Sequence, residues 1–292
     1  MVFFKHAADA FAASRQWDSA SLGRLAYWVG HFGERELTSV TIEDVDDVLV
    51  QLAERGCLLS GRRSTVRSGK PLSGGTINRY VSTLGSLYKF ARKARLVPRN
   101  FLSPSRGIER LPEPVDPDRY LRVEEVGRIL ACARVVDRRW KRLPALIVLA
   151  LHTGLRKGSL QKLRWENVDL DARRVVLGRT KNGEPIGSAL TEHCVSELER
   201  LPGKEPAALV FGNRYGNPFH FKHLWKRACA MAGLPGRDFH ELRHGCGSAL
   251  AMAGANQALV MAVLGHKTLI ASRRYMHHNT NDQRALVDKV FG

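Results

Sequence analysis

The sequence predicts a mainly α protein built as two helical units, the second carrying a small antiparallel β-sheet. Three observations lead there. Apolar residues recur three and four apart through most of the chain, one Asn-Gly pair separates two short β-prone runs, and a single proline-rich acidic stretch interrupts the helical pattern.

In the first unit, Phe11, Leu22, Leu25, Trp28, Val29 and Phe32 follow helical spacing, and Gly33 makes a natural end. Thr41-Ile42-Glu43-Asp44 resembles a capping box opening the amphipathic run Val45, Val48, Leu49, Leu52, which Gly56 closes. Cys57 to Leu72 reads as loop. Ser73 caps a long helix through Thr76, Asn78, Tyr80, Leu84, Leu87 and Phe90, which must end before Pro98.

Residues 112–119, with Pro112, Pro114 and Pro117 among acidic residues, cannot continue a helix and read as an extended connector between units 1–111 and 120–292. Beyond it, helices are expected over Val123–Val136 and over the nearly all-apolar Leu143–Leu151, which should be buried. Arg173–Leu177 and Pro185–Leu190 read as strands around the Lys181-Asn182-Gly183 turn. Helices follow near Glu192–Leu201 and Phe221–Ala232, then a group of short ones from His240 onward. Apolar Leu286, Val287, Val290 and Phe291 form a last short helix, packing on its own chain or on a neighbour.

With 44% hydrophobic and 25% charged residues over 292 positions, the chain is long enough for two ordinary cores. Its charge is not ordinary: 46 Lys and Arg against 28 Asp and Glu leave +18 at neutral pH. Both halves are positive, and from Arg55 to Ile108 there is no acidic residue at all. A solvated surface mixes signs, so this bias favours a polyanionic partner, nucleic acid before anionic membrane. The longest apolar run, Ala145–Leu151, is far short of a membrane span, and the amino terminus lacks a signal-peptide pattern. Arg62, Arg63, Arg67, Lys70, Asn78 and Arg79 are candidate DNA contacts.

Five cysteines (Cys57, Cys132, Cys194, Cys229, Cys246) form no CxxC pair and read as reduced cytosolic thiols. His240, His244 and Cys246 have no fourth ligand spaced to complete a metal site, so no metal and no cofactor is expected.

The densest chemistry lies between His240 and Tyr275, together with Arg156 and Lys181. A phenol is a weak nucleophile at its ordinary pKa of roughly 10, so a tyrosine that attacks needs a base and a cationic target. On a helix His240, Arg243 and His244 share one face. Gly254 stops that helix, Asn256 caps the next, and Gly265 breaks the chain before His266. Such sharp turns can gather His240, Arg243, His266 and Tyr275 around one pocket.

These residues resemble the tyrosine recombinase (phage integrase) family. Its first arginine box looks like Thr153-Gly154-Leu155-Arg156, its hairpin lysine like Lys181, and its second box like His240-x-Leu242-Arg243-His244. Leu264-Gly265-His266 and Tyr275-x-His277 complete the order, with Tyr275 nine residues after His266. One departure stands out: Lys157-Gly158-Ser159-Leu160 follows the first arginine where the family usually has a small residue and a glutamate before the leucine.

The resemblance implies a helical, SAM-like core-binding domain over 1–111 and the family's catalytic fold over 120–292. It also implies strand transfer without metal or ATP. Arg156, Arg243 and His266 would brace the scissile phosphate, Lys181 would protonate the leaving 5′-hydroxyl, and His240 would polarise the Tyr275 hydroxyl. The implied partners are double-stranded DNA at recombination sites, a homotetramer on two duplexes, and accessory DNA-bending or directionality proteins. Members often carry a further arm-binding domain, and none is expected within these residues. Phage or genomic-island integration and excision is the leading reading. The alternatives are a chromosome-dimer resolvase of Xer type, a DNA-binding protein that has lost strand exchange, and a type IB topoisomerase.

Overall fold

The computed structural model describes residues 1–60, 65–113, 120–178, 186–265 and 288, and the chain divides into two compact units, Met1–Val115 and Asp116–Gly292. Each has its own apolar core.

The first unit runs α1 (Phe4–Ala13), α2 (Ser19–Phe32), α3 (Ile42–Arg55), the strands β1 (Leu58–Ser60) and β2 (Thr65–Arg67), and α4 (Gly74–Lys93). The apolar spacing from Val2 to Gly33 proves to be two helices, because Asp18 caps a new start by accepting from Ser21 N at 2.9 Å. The Thr41 capping box forms as expected: Asp44 N donates to Thr41 Oγ1 and Thr41 N to Asp44 Oδ2. Ser73 accepts from Thr76 N and opens α4. Phe4, Trp28, Leu52, Leu84 and Leu87 are fully buried at the centre, each worth roughly 1.5–3 kcal/mol of transfer free energy. Their two polar companions are satisfied, since Trp28 Nε1 donates to Tyr80 O and Tyr88 Oη to Leu37 O.

One expectation fails in this unit. The segment from Cys57 to Leu72 is not all loop: β1 and β2 pair antiparallel, Leu58 opposite Arg67 and Ser60 opposite Thr65. Alternating β-prone residues are too few there to register as a pattern, and the ladder itself supplies the order.

The second unit contains α5 (Val123–Val136), α6 (Arg142–Thr153), α7 (Lys157–Gln161), β3 (Val168–Asp169), β4 (Arg174–Leu177), β5 (Ile186–Ala189), α8 (Glu192–Glu199), α9 (Lys222–Met231), α10 (Glu241–Met252) and α11 (Gln257–Leu264). Helix α6 is its axis. Every residue from Leu143 to Ala150 is buried, and α5, α8 and α10 pack around it. Asp137 anchors its start by accepting from Leu143 N at 2.7 Å. The strands form an antiparallel sheet in the order β3-β4-β5, with Leu177 opposite Ile186 across the predicted hairpin. Strand β3 and helix α7 are too short to carry a periodic signal of their own. The turn holding Lys181, and the expected terminal helix near Leu286, lie outside the described residues.

Candidate active site and nucleic-acid interface

The C-terminus of α6 brings together three segments distant in sequence. Gly154 ends α6 in the left-handed conformation, at φ 60°. A Cβ at Gly154 would run into Leu264 of α11 and lie 3.2 Å from Cys246 Sγ of α10. Only a glycine leaves room for the ends of α6 and α11 to close on the middle of α10.

Arg243, 4% exposed on α10, donates from Nη1 to the Gly154 carbonyl. Arg156 is exposed at the start of α7, and its Nη2 reaches Gly265 O at 3.5 Å. Gly265 caps α11 at φ 58° and directly precedes His266. The first arginine therefore sits at the threshold of the Leu-Gly-His motif without the glutamate usual after it. Beside it, Lys157 Nζ lies 5.4 Å from the centre of the Phe221 ring.

The amino end of α10 is fixed by charge. Glu241, buried, accepts from Asp238 N and from Arg237 Nη1, and Arg237 Nη2 continues to Glu125 on α5. Asp238 Oδ1 accepts from His240 N at 2.7 Å. His240 precedes the helix and meets His244 edge to face at 5.1 Å between ring centres. This network is not apparent from spacing alone, because Arg237 and Glu125 are 112 residues apart. Burial pushes the Cys246 thiol up to about 11. Among the described residues no group of three or more His, Cys, Asp or Glu is gathered as metal ligands.

Lys181, His266 and Tyr275 lie outside the described residues, as do Arg62 and Arg63. Arg67 belongs to β2, and Lys70 is exposed with its carbonyl accepting from Cys57 N. Arg79 is exposed on α4. Asn78 corrects the expectation of a DNA contact. It is 7% exposed, and its amide is spent on Leu111 and Glu113, which leaves it facing its own chain.

A better candidate surface is the outer face of α4. Exposed Arg79, Ser82, Ser86, Lys89 and Lys93 follow three- and four-residue steps and form one ridge. Arg110 joins it through Ser82 Oγ at 3.1 Å, and Lys89, Arg92, Lys93 and Arg99 line a shallow hollow at its end. The signal was present in the sequence as basic residues on the polar stripe of the helix from Ser73.

Residues 119–282 match the model of the phage integrase family. The shufflon-specific DNA recombinase of Escherichia coli is 29% identical over 248 residues, covering 83% of this chain. This chain spans only 58% of that relative's length. The integrase of Salmonella phage P22 is 23% identical over 92% of this chain and 74% of its own. Tyrosine recombinase XerC of Bacillus pumilus is 28% identical over 74% of each. The fold is similar to that of the Tn1549 transposon integrase in complex with transposon right end DNA, with TM-score 0.73 at 17% identity over all of both chains. It is also similar to a lambda integrase dimer bound to a COC′ core site, with TM-score 0.67 at 17% identity over 95% of each. No helix among the described residues is long and apolar enough to cross a membrane. With both arginine boxes converging on one turn and more than half its length matched by the family model, the chain belongs to the phage integrase family of tyrosine recombinases.

Proposed function

We propose that this chain cuts and rejoins DNA at specific sites through a 3′-phosphotyrosine formed on Tyr275. The observation that carries the reading is the junction at the end of α6, where Arg243 donates to the Gly154 carbonyl and Arg156, two residues on, reaches Gly265 O just ahead of His266. Two guanidinium groups so placed suit a single phosphate, whose non-bridging oxygens gain charge as the attacking oxygen arrives.

By their match to the family's motifs, Tyr275 is the nucleophile and Lys181 the general acid. The Tyr275 oxygen bonds to phosphorus while the bond to the 5′-oxygen breaks. His240 takes the phenol proton and Lys181 supplies one to the leaving 5′-hydroxyl. His266 is a third donor to the phosphate. The ester keeps the energy of the broken bond, so a 5′-hydroxyl from another strand reverses the step and reseals the backbone.

Double-stranded DNA is the partner this reading requires, and the +18 charge and the α4 ridge support it, as do the solved integrases that carry DNA. The first unit is read as the core-binding arm, 120–292 as the catalytic domain, and the working assembly as four copies on two duplexes with accessory bending or directionality proteins. The match to the integrase of phage P22 supports phage or genomic-island integration and its reversal as the setting, and action on DNA would place the chain in the cytoplasm at the nucleoid. The XerC match keeps dimer resolution as the second reading.

The test compares wild type with Tyr275→Phe on supercoiled plasmid carrying the sequences that flank the gene. Wild type should yield a covalent protein–DNA adduct on a denaturing gel and the variant none. Absence of the wild-type adduct would turn the reading into that of a DNA-binding protein. Relaxation of site-free plasmid without recombinants would turn it into that of a topoisomerase.

A further inference from the structure

Residues 110–113 are strapped onto the first turns of α4. Asn78 closes a two-way bond with the Leu111 backbone: Nδ2 donates to Leu111 O at 2.9 Å, and Oδ1 accepts from Leu111 N at 3.0 Å. Nδ2 also donates to Glu113 Oε1 at 2.7 Å. Arg110 answers from the other side, donating from Nη1 to Asn78 O and to Ser82 Oγ.

The helix start is cut to fit this strap. A Cβ on Gly74 would lie 2.5 Å from Pro112 O, and one on Gly75 would lie 2.9 Å from Glu113 Oε2. Two successive glycines are poor helix formers, and here a methyl at either would push the strap away. The Glu113 carboxylate meanwhile rests at the amino end of α4, where the helix dipole favours a negative charge. It is an acidic residue held against a surface otherwise crowded with Arg and Lys.

A buried amide that bonds the backbone of the departing chain does more than fill space. We propose that Asn78 and Glu113 are positioning residues that fix where the chain leaves the first unit, so that the connection to the second is counted from residue 114 and not from residue 110. This rests on the reading that both units bind one duplex. Two linked binding units assist each other through effective concentration, which falls roughly as the −3/2 power of tether length once the tether is long enough to span both sites. The strap holds the tether short.

Two readouts on the full chain test this: trypsin cutting after Arg110, and equilibrium binding to a short random duplex. In Asn78→Leu, cutting should accelerate by about tenfold as the bonds to Leu111 and Glu113 are lost. Affinity should fall about twofold or more, the factor that the −3/2 power of tether length gives. Asn78→Asp should behave alike, because the new carboxylate cannot donate to Leu111 O and repels Glu113. Adding Glu113→Gln to it restores a donor between the two side chains and should bring both readouts part of the way back. Where Asn78→Leu loses its melting transition, the exposed Glu113→Ala supplies the same comparison with a smaller effect. Unchanged cutting in a folded variant overturns the strap, and faster cutting at unchanged affinity overturns the positioning role. A wild-type chain that leaves the duplex unbound overturns the DNA reading and the positioning role with it, and proteolysis alone then judges the strap.

Discussion

Arg243 and Gly154, 89 residues apart, are joined by a hydrogen bond from the guanidinium to the carbonyl, so the second arginine box holds the first by its helix cap. The fork of arginine can serve that carbonyl and still aim donors elsewhere, whereas lysine offers one compact charge. Arg243→Lys should therefore lower the rate of adduct formation by roughly 10²-fold or more, as loss of a donor to a developing oxyanion does. Adduct formation at the wild-type rate would remove Arg243 from the phosphate site.

Gly154→Ala tests the same junction by a different physical cause. The left-handed φ costs alanine roughly 1–2 kcal/mol, and the collision with Leu264 and Cys246 adds to it. A loss of several degrees in Tm is expected, at roughly 2–4 °C per kcal/mol for a domain of this size. A melting curve superimposable on wild type would show that α10 and α11 leave room for a methyl group at the end of α6.

Much of this junction was legible in the sequence. Gly254, Asn256 and Gly265 announce themselves because helix ends need particular residue types, and Asn256 accepts from Leu259 N as its position requires. Asn78 is not legible in the same way, because a polar residue inside a basic stretch looks solvent-facing until the strap that buries it is in place. The Arg237–Glu125 link leaves no local trace because its partners are 112 residues apart, and the β1–β2 ladder leaves none because its three-residue strands are too short to show alternation.

His152, near the carboxyl end of α6, gives a pH dependence. Burial lowers its pKa from the ordinary 6.5, and the neighbouring His193, 5.5 Å between ring centres, lowers it further. Its Nδ1 meets Thr191 Oγ1 at 2.7 Å. The unfolded chain thus binds the proton first as pH falls, so stability is present above about pH 6.5 and declines below it. Tm measured from pH 7.5 down to 5 should drop less in His152→Asn than in wild type. Parallel curves would assign the acid sensitivity to other groups.

The cysteines divide by environment. Burial raises the thiols of Cys194, Cys229 and Cys246, Cys229 to about 12, while Cys57 and Cys132 are partly exposed. A thiol reagent at pH 8 should therefore label Cys57 and Cys132 in the native chain, and the other three only after denaturant is added. Rapid native labelling of Cys246 would mean that the α6–α10 junction opens on the timescale of the experiment.

The α4 ridge makes the last prediction, and salt reads it. Each phosphate neutralised by a Lys or Arg releases condensed counterions, contributing about 0.9 to the slope of log affinity against log salt. Arg79→Ala, Lys89→Ala and Lys93→Ala should each weaken binding to a random duplex and reduce that slope by about 0.9. Lys5 provides the control, because its ammonium is held by Glu34 at 2.8 Å on another part of the same unit. Lys5→Ala should leave the slope unchanged. A lower affinity with an unaltered slope in the ridge variants would point to lost helix stability and not to lost phosphate contacts. Equal slope changes in Lys5→Ala and the ridge variants would show that net charge, and not the aligned face of α4, draws the duplex in.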